Sequence, residues 1–193
     1  LIFDTVFAHN TIMFRRKFLE DHGLRYDPDF RHAEDFEFWT RCSRHTQLAN
    51  LPVVLLRYHF HADNTSNRHR DEQIQTADRI RCSYLSNLGI VPTPNECQLH
   101  TDLIQFRLPQ GKNHLDAAGA WLLRLNEAAR KTLGISEAVI INELSRYWYG
   151  ACASQAEQGL ATWTTFMSIP LGRRGKIAWQ AKLLARCLTR QPV

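Results

Sequence analysis

Residues 33–41 read Ala33-Glu34-Asp35-Phe36-Glu37-Phe38-Trp39-Thr40-Arg41. Acids lead, aromatics fill the middle and a base closes the run. That order predicts a helix over 34–44, because early carboxylates complement the free N–H groups and positive end of a helix, and late bases the negative end. Moving toward the N-terminus, Tyr26-Asp27-Pro28-Asp29 is turn chemistry. Gly23 is placed to end a short helix begun at Arg15. Residues 7–14, Phe-Ala-His-Asn-Thr-Ile-Met-Phe, have strand composition. Moving toward the C-terminus, Leu51-Pro52-Val53-Val54-Leu55-Leu56-Arg57-Tyr58-His59-Phe60 is the strongest strand candidate, with Pro52 near its start.

Beyond this region the signals are helical. Residues 71–88 form a helical stretch ending at Gly89. Thr93-Pro94-Asn95-Glu96 is a start signal, with Thr93 as cap, Pro94 at the first helical position and Glu96 closing a capping box. Pro109-Gln110-Gly111 interrupts the chain. Leu115, Ala118, Leu122, Leu125, Ala129 and Leu133 then recur at helical spacing up to Gly134. Ile140, Leu144, Tyr147 and Ala151 form the stripe of a helix over 137–157, and a last helix covers about 176–189. The expected fold class is α/β turning predominantly α, with domains at 1–90 and 91–193.

The composition supports a globular protein. The 193 residues are 44% hydrophobic and 22% charged, which excludes wholesale disorder and collagen-like repeats. No run of eighteen apolar residues occurs, so no bilayer-spanning helix is expected. Cys42, Cys82, Cys97, Cys152 and Cys187 are widely spaced, without Cys-x-x-Cys, and read as reduced thiols of a cytoplasmic protein. The net charge of +5 is unevenly placed. No acid follows Glu157, whereas Arg173, Arg174, Lys176, Lys182, Arg186 and Arg190 do. Lys182, Arg186 and Arg190 share an i, i+4 stripe, and Ile177, Ala181, Leu184 and Leu188 an apolar face. Such a helix suits an anionic membrane surface or a solvated basic face on a docked helix. Nucleic acid is not the expected partner, because aromatics interleaved with the bases are lacking.

Several residues carry two readings. Asp35, with Glu34 beside it, is either a general base or an acid complementing a helix N-terminus. Glu37 and Arg41, four apart, read as a surface ion pair or as a device that orients the acid helix. Trp39 stacks on a sugar or fills the core. His59 and His61 point to one face of a strand and can present two imidazoles to a metal, or be satisfied side chains.

The ordered set resembles the acceptor-side half of bacterial family 2 glycosyltransferases with the GT-A fold. The matching stretches are Asn10 to Arg16, Gly23 to Phe30, Glu34-Asp35 and Leu51 to His61, within about residues 5–68. His59 stands where the family usually has Arg. The resemblance implies the C-terminal edge of a GT-A domain, with few strands, followed by a helical extension. It implies inverting transfer from a nucleotide sugar to a hydroxyl of a glycan or lipid-linked acceptor, as in bacterial surface polysaccharide synthesis. Asp35, with Glu34, takes the base role. Trp39 meets the acceptor, and His61 approaches the donor diphosphate or its Mg or Mn ion. The ion's Asp-x-Asp motif would lie upstream with the nucleotide-binding strands; Asp27-Pro28-Asp29 has its letters but reads as a turn. Without those strands the chain is expected to be inactive alone, to expose an apolar edge and to self-associate there. The location implied is cytoplasmic and peripheral at the inner membrane face. The competing reading is a non-catalytic helical interaction domain.

Overall fold

The computed structural model describes residues 1–57, 59 and 69–191. Every regular element among them is helical, and the contacts divide the chain into two units, Leu1–Tyr84 and Leu85–Val193.

The first unit is built around α2 (Glu34–Cys42). Phe38, Trp39 and Cys42 pack with Leu24, backed by Phe7, Ile12, Phe18, Leu19 and Leu48. Phe36 packs on another side with Ala33, Ala77 and Ile80. A helix with aromatic side chains on two sides must be covered there, and α1 (Arg16–Asp21) and α3 (Arg70–Tyr84) belong to that cover. α1 stops at Gly23, whose φ of 62° is one that glycine adopts without penalty. The Leu24 N–H then reaches back to the Leu19 carbonyl, and Leu24 turns into the core. On α3, Arg81 is buried and donates to the Phe3 carbonyl, Asp78 and Asp4, tying the first residues to the helix.

Glu37 and Arg41 are not an ordinary surface pair. Glu37 is only 8% exposed. Arg41 grips both its carboxylate oxygens, at 2.6 and 2.7 Å, and also donates to the Arg25 carbonyl. The fork locks the chain just ahead of Tyr26 to α2, the orienting role that the spacing left open.

Neither strand candidate is a strand among the described residues. Residues 7–14 contain a 3-10 turn, His9–Thr11, and residues 51–57 run without ladder partners. A β-competent sequence becomes a strand only when another backbone takes up its N–H and C=O groups. No described segment does so. The apolar side chains that a sheet would cover are left open: Val6, Phe14, Leu51 and Val53–Leu56 are exposed, and Met13 is 97% exposed. They border an apolar cavity of about 730 Å³. His61 and the rest of that strand candidate beyond Arg57, His59 excepted, lie outside the described residues.

The second unit is a helical bundle. It comprises α4 (Pro94–Ile104), α5 (Lys112–Thr132), α6 (Glu137–Ala153), α7 (Leu160–Ser168), α8 (Pro170–Arg174) and α9 (Ile177–Thr189). The capping box of α4 forms as its letters dictate, with the Glu96 N–H on the Thr93 hydroxyl and the Thr93 N–H on the Glu96 carboxylate. The apolar stripes of α5 and α6 are buried, except Leu133, which is partly exposed. Trp148 on α6 anchors the core, donating its indole N–H to the Phe166 carbonyl at 3.0 Å. Gln155, fully buried, holds the Pro109–Gly111 break by bonds to the Pro109 carbonyl and the Gly111 N–H. α7 and α8 were not expected. Gly172 lets α8 lie against the Phe166 carbonyl, where any Cβ would collide.

Cys42, Cys152 and Cys187 are free and buried. Cys82 and Cys97 are each disulfide-bonded, which corrects the expectation of five reduced thiols.

Candidate functional site

The first turn of α2 presents Glu34 to solvent and leaves Asp35 half-buried. The Asp35 carboxylate accepts the Phe36 N–H at 2.7 Å, so one oxygen is fixed at the head of the helix. The core explains the placement. Phe36 and Phe38 must face inward on their sides of α2, and the residues one turn earlier are left at its rim.

Tyr26 stands beside the two acids. Its ring lies 4.6 Å from that of Phe38, tilted by 36°, and meets the His9 ring edge-on at 5.7 Å. The phenol oxygen is 3.5 Å from His9 Nε2. Tyr26 is 45% exposed, so one side of it borders solvent. Burial raises its pKa first, and the negative charges of Asp35, Cys42 and Glu34 raise it further. The phenol therefore keeps its proton through the neutral range and is available as a donor next to carboxylates that accept. A shallow cleft of about 420 Å³ opens here, lined by Tyr26, Asp27, Pro28, Arg31, His32 and Glu34. His9 and Tyr26 lie 17 positions apart, and no local pattern marks them as partners; only the turn at residues 23–30, folded back onto α2, brings them together.

The other sequence candidates fall elsewhere. Trp39 is 3% exposed and packs edge-on against Phe7 and Phe38. Its indole N–H has no partner among the described residues. It borders the apolar cavity, and a sugar would reach it only from there. The Asp27 carboxylate accepts the Asp29 N–H and caps the 3-10 turn Pro28–Phe30, so those Asp-x-Asp letters are engaged in the turn. Burial pushes the Cys42, Cys152 and Cys187 thiols up, which leaves none of the three activated as a nucleophile.

On α9 the basic stripe splits. Lys182 and Arg190 are exposed, whereas Arg186 is half-buried with one guanidinium nitrogen enclosed, close enough to Tyr149 for its charge to oppose the rise that burial causes there. Of the apolar face, Leu184 turns partly inward, while Ile177, Ala181 and Leu188 remain exposed beside Lys182. No helix is long and apolar enough to cross a membrane among the described residues.

No protein-family model matches the chain, and no solved structure does. A stretch of 94 residues is 34% identical to a protein of Haemophilus influenzae named as an uncharacterized glycosyltransferase. The match takes in 47% of this chain and 29% of that protein, so the chain spans under a third of the length of its relative.

Proposed function

We propose that the chain is the acceptor-side part of an inverting glycosyltransferase of the family 2, GT-A type, with Asp35 as its base. The observation that carries this is the half-buried Asp35 carboxylate, fixed at the head of α2 near Tyr26 and next to Glu34, both of which line an open cleft. The similarity to a protein named as a glycosyltransferase supports the same reading.

The chemistry follows from what a sugar hydroxyl lacks. It is a weak nucleophile. In the proposed step Asp35 takes its proton as the oxygen forms a bond to the anomeric carbon. The bond from that carbon to the diphosphate breaks, and its electron pair leaves with the nucleoside diphosphate. Positioned base catalysis of this kind contributes about 10²–10⁴-fold. Glu34 adds negative charge at the rim, and Tyr26 donates to the sugar or to the base. His61 is assigned to the donor diphosphate by resemblance alone. A divalent ion, Mg or Mn, belongs to the same resemblance, but Asp27 is occupied as a cap. The nucleotide-sugar donor and the glycan or lipid-linked acceptor are part of this proposal, as is a role in surface polysaccharide synthesis. Exchange of Asp35 for Asn in the native polypeptide that carries these residues tests the reading: turnover falls while donor binding persists.

Residues 51–57 and the apolar cavity beside them are where the sheet of the GT-A domain would continue. Exposed apolar surface of this extent marks a contact site rather than a solvated face.

A peripheral membrane role for α9 is the second part of the proposal. It is supported by exposed Ile177 and Leu188 alongside Lys182, with exposed Arg173 and Lys176 nearby. Each such charge contributes about 1 kcal/mol at an anionic surface. Arg186 is turned partly inward, so the informative variant is Lys182→Glu with Arg190→Glu. It is expected to weaken co-sedimentation with anionic vesicles by about tenfold or more, and raised salt to do the same to the wild type. Equal binding to neutral and anionic vesicles would reduce α9 to a solvated face.

A further inference from the structure

We propose that His32, His69 and Glu72 form a binding site for a transition-metal ion of the zinc class. These residues are not those that the transferase reading assigns to the donor diphosphate. They come from two places: His32 lies between the 3-10 turn Pro28–Phe30 and α2, while His69 and Glu72 stand at and inside the start of α3. The His32 Nε2 is 3.4 Å from a Glu72 carboxylate oxygen, and the His69 Nδ1 is 3.8 Å from the same oxygen. One ligand atom from each residue lies within 4.8 Å of the other two. The two imidazole rings are 4.1 Å apart and nearly parallel, at 10°.

Three features of His32 point to a ligand there. Its side chain is 14% exposed, and its Nε2 is enclosed with no hydrogen-bond partner among the described residues. Leaving such an atom unsatisfied opposes folding. Its backbone sits at φ 64°, a left-handed conformation that a residue with a Cβ rarely adopts. And its carbonyl is held by the Gln73 side chain at 2.8 Å, which fixes the strained residue against α3. Strain and an orphaned nitrogen at one residue are compensated if an ion takes the lone pair.

The donor set selects the ion. Two imidazoles and a carboxylate suit zinc and its neighbours, whereas magnesium and calcium prefer oxygen alone. Zinc–nitrogen bonds of about 2.0–2.1 Å need ligand atoms about 3.3 Å apart in a tetrahedron. The set must therefore contract. His69 and Glu72 are about half exposed, and the His69 ring must turn out of its stack on His32 so that the two in-plane lone pairs meet at one ion. Three protein ligands leave a fourth position for water or a ligand, the arrangement of zinc sites that are not purely structural. His32 and Glu34 line the same cleft, so that position adjoins it.

The test is zinc titration of the chelator-stripped protein by calorimetry, with Co2+ as an optical probe. The expected result is one equivalent of zinc, and visible bands of four- or five-coordinate cobalt that zinc displaces. Glu72→Gln and His69→Ala, both at exposed positions that leave the core intact, should each weaken that equivalent by about tenfold or more. The double variant His59→Ala with His61→Ala should leave it unchanged. Failure of the wild-type protein to take up zinc would overturn the proposal. So would unchanged affinity in the Glu72 and His69 variants, or loss of the equivalent in the His59 and His61 variant.

Discussion

Asp35→Asn in the native polypeptide is expected to lower sugar turnover by about 10²–10⁴-fold while nucleotide-sugar affinity stays within about twofold. The substitution is nearly isosteric. Asn keeps an oxygen that can accept the Phe36 N–H, so the head of α2 retains its shape. What it loses is the ability to take a proton. A base matters only as the acceptor hydroxyl reacts, so the loss falls on kcat rather than on ground-state binding. Glu34→Gln is the internal control. Glu34 is exposed and its carboxylate is not fixed by the helix, so its variant should retain most activity. Steady-state kinetics together with equilibrium donor binding separate the cases. A normal Asp35→Asn enzyme with an inactive Glu34→Gln moves the role by one residue. Two normal enzymes remove the catalytic reading of this helix and favour a helical interaction domain.

The largest stability effect is expected at Trp148. Trp148→Ala should cost about 3–5 kcal/mol. The ring is 1% exposed, contacts the Gly119 position and stacks near Phe166. Its removal opens a cavity between α5, α6 and α7 and strands the Phe166 carbonyl, which now accepts its N–H. Trp148→Phe keeps most of the volume and loses only the donor, so its cost should be clearly smaller. Urea unfolding followed at second-unit amides by hydrogen exchange measures both. A Trp148→Ala loss under about 1 kcal/mol would mean that this core is not packed as described.

The helical parts were legible where the signal was local. Thr93, Pro94 and Glu96 spell a capping box within four residues, and the α5 and α6 stripes repeat at helical spacing. Residues 160–174 carried no such signal. Trp163-Thr164-Thr165-Phe166 is β-branched and aromatic, of poor helix propensity, and it is helical because Phe166 and Thr162 pack into the second-unit core. The strand candidates erred in the opposite way. Their composition favours a sheet, but a strand needs a partner, and none is described. The site was legible in part. Glu34-Asp35 announced itself by charge order. His9 beside Tyr26, the enclosed Glu37–Arg41 fork and His32 beside His69 did not, because each depends on turns and helices closing onto α2.

The proposed chemistry is direct displacement at a sugar's anomeric carbon, with Asp35 as base rather than nucleophile. Proton NMR of the first product formed from an anomerically pure nucleotide sugar tests it most directly, with water accepted in place of the natural acceptor and the spectrum read before mutarotation. A single displacement inverts the anomeric centre. The expected product is a sugar of configuration opposite to the donor's, with the signal lost in Asp35→Asn. Retention of configuration would require two displacements or attack on the face from which the diphosphate leaves, and it would rule out the single displacement proposed for Asp35.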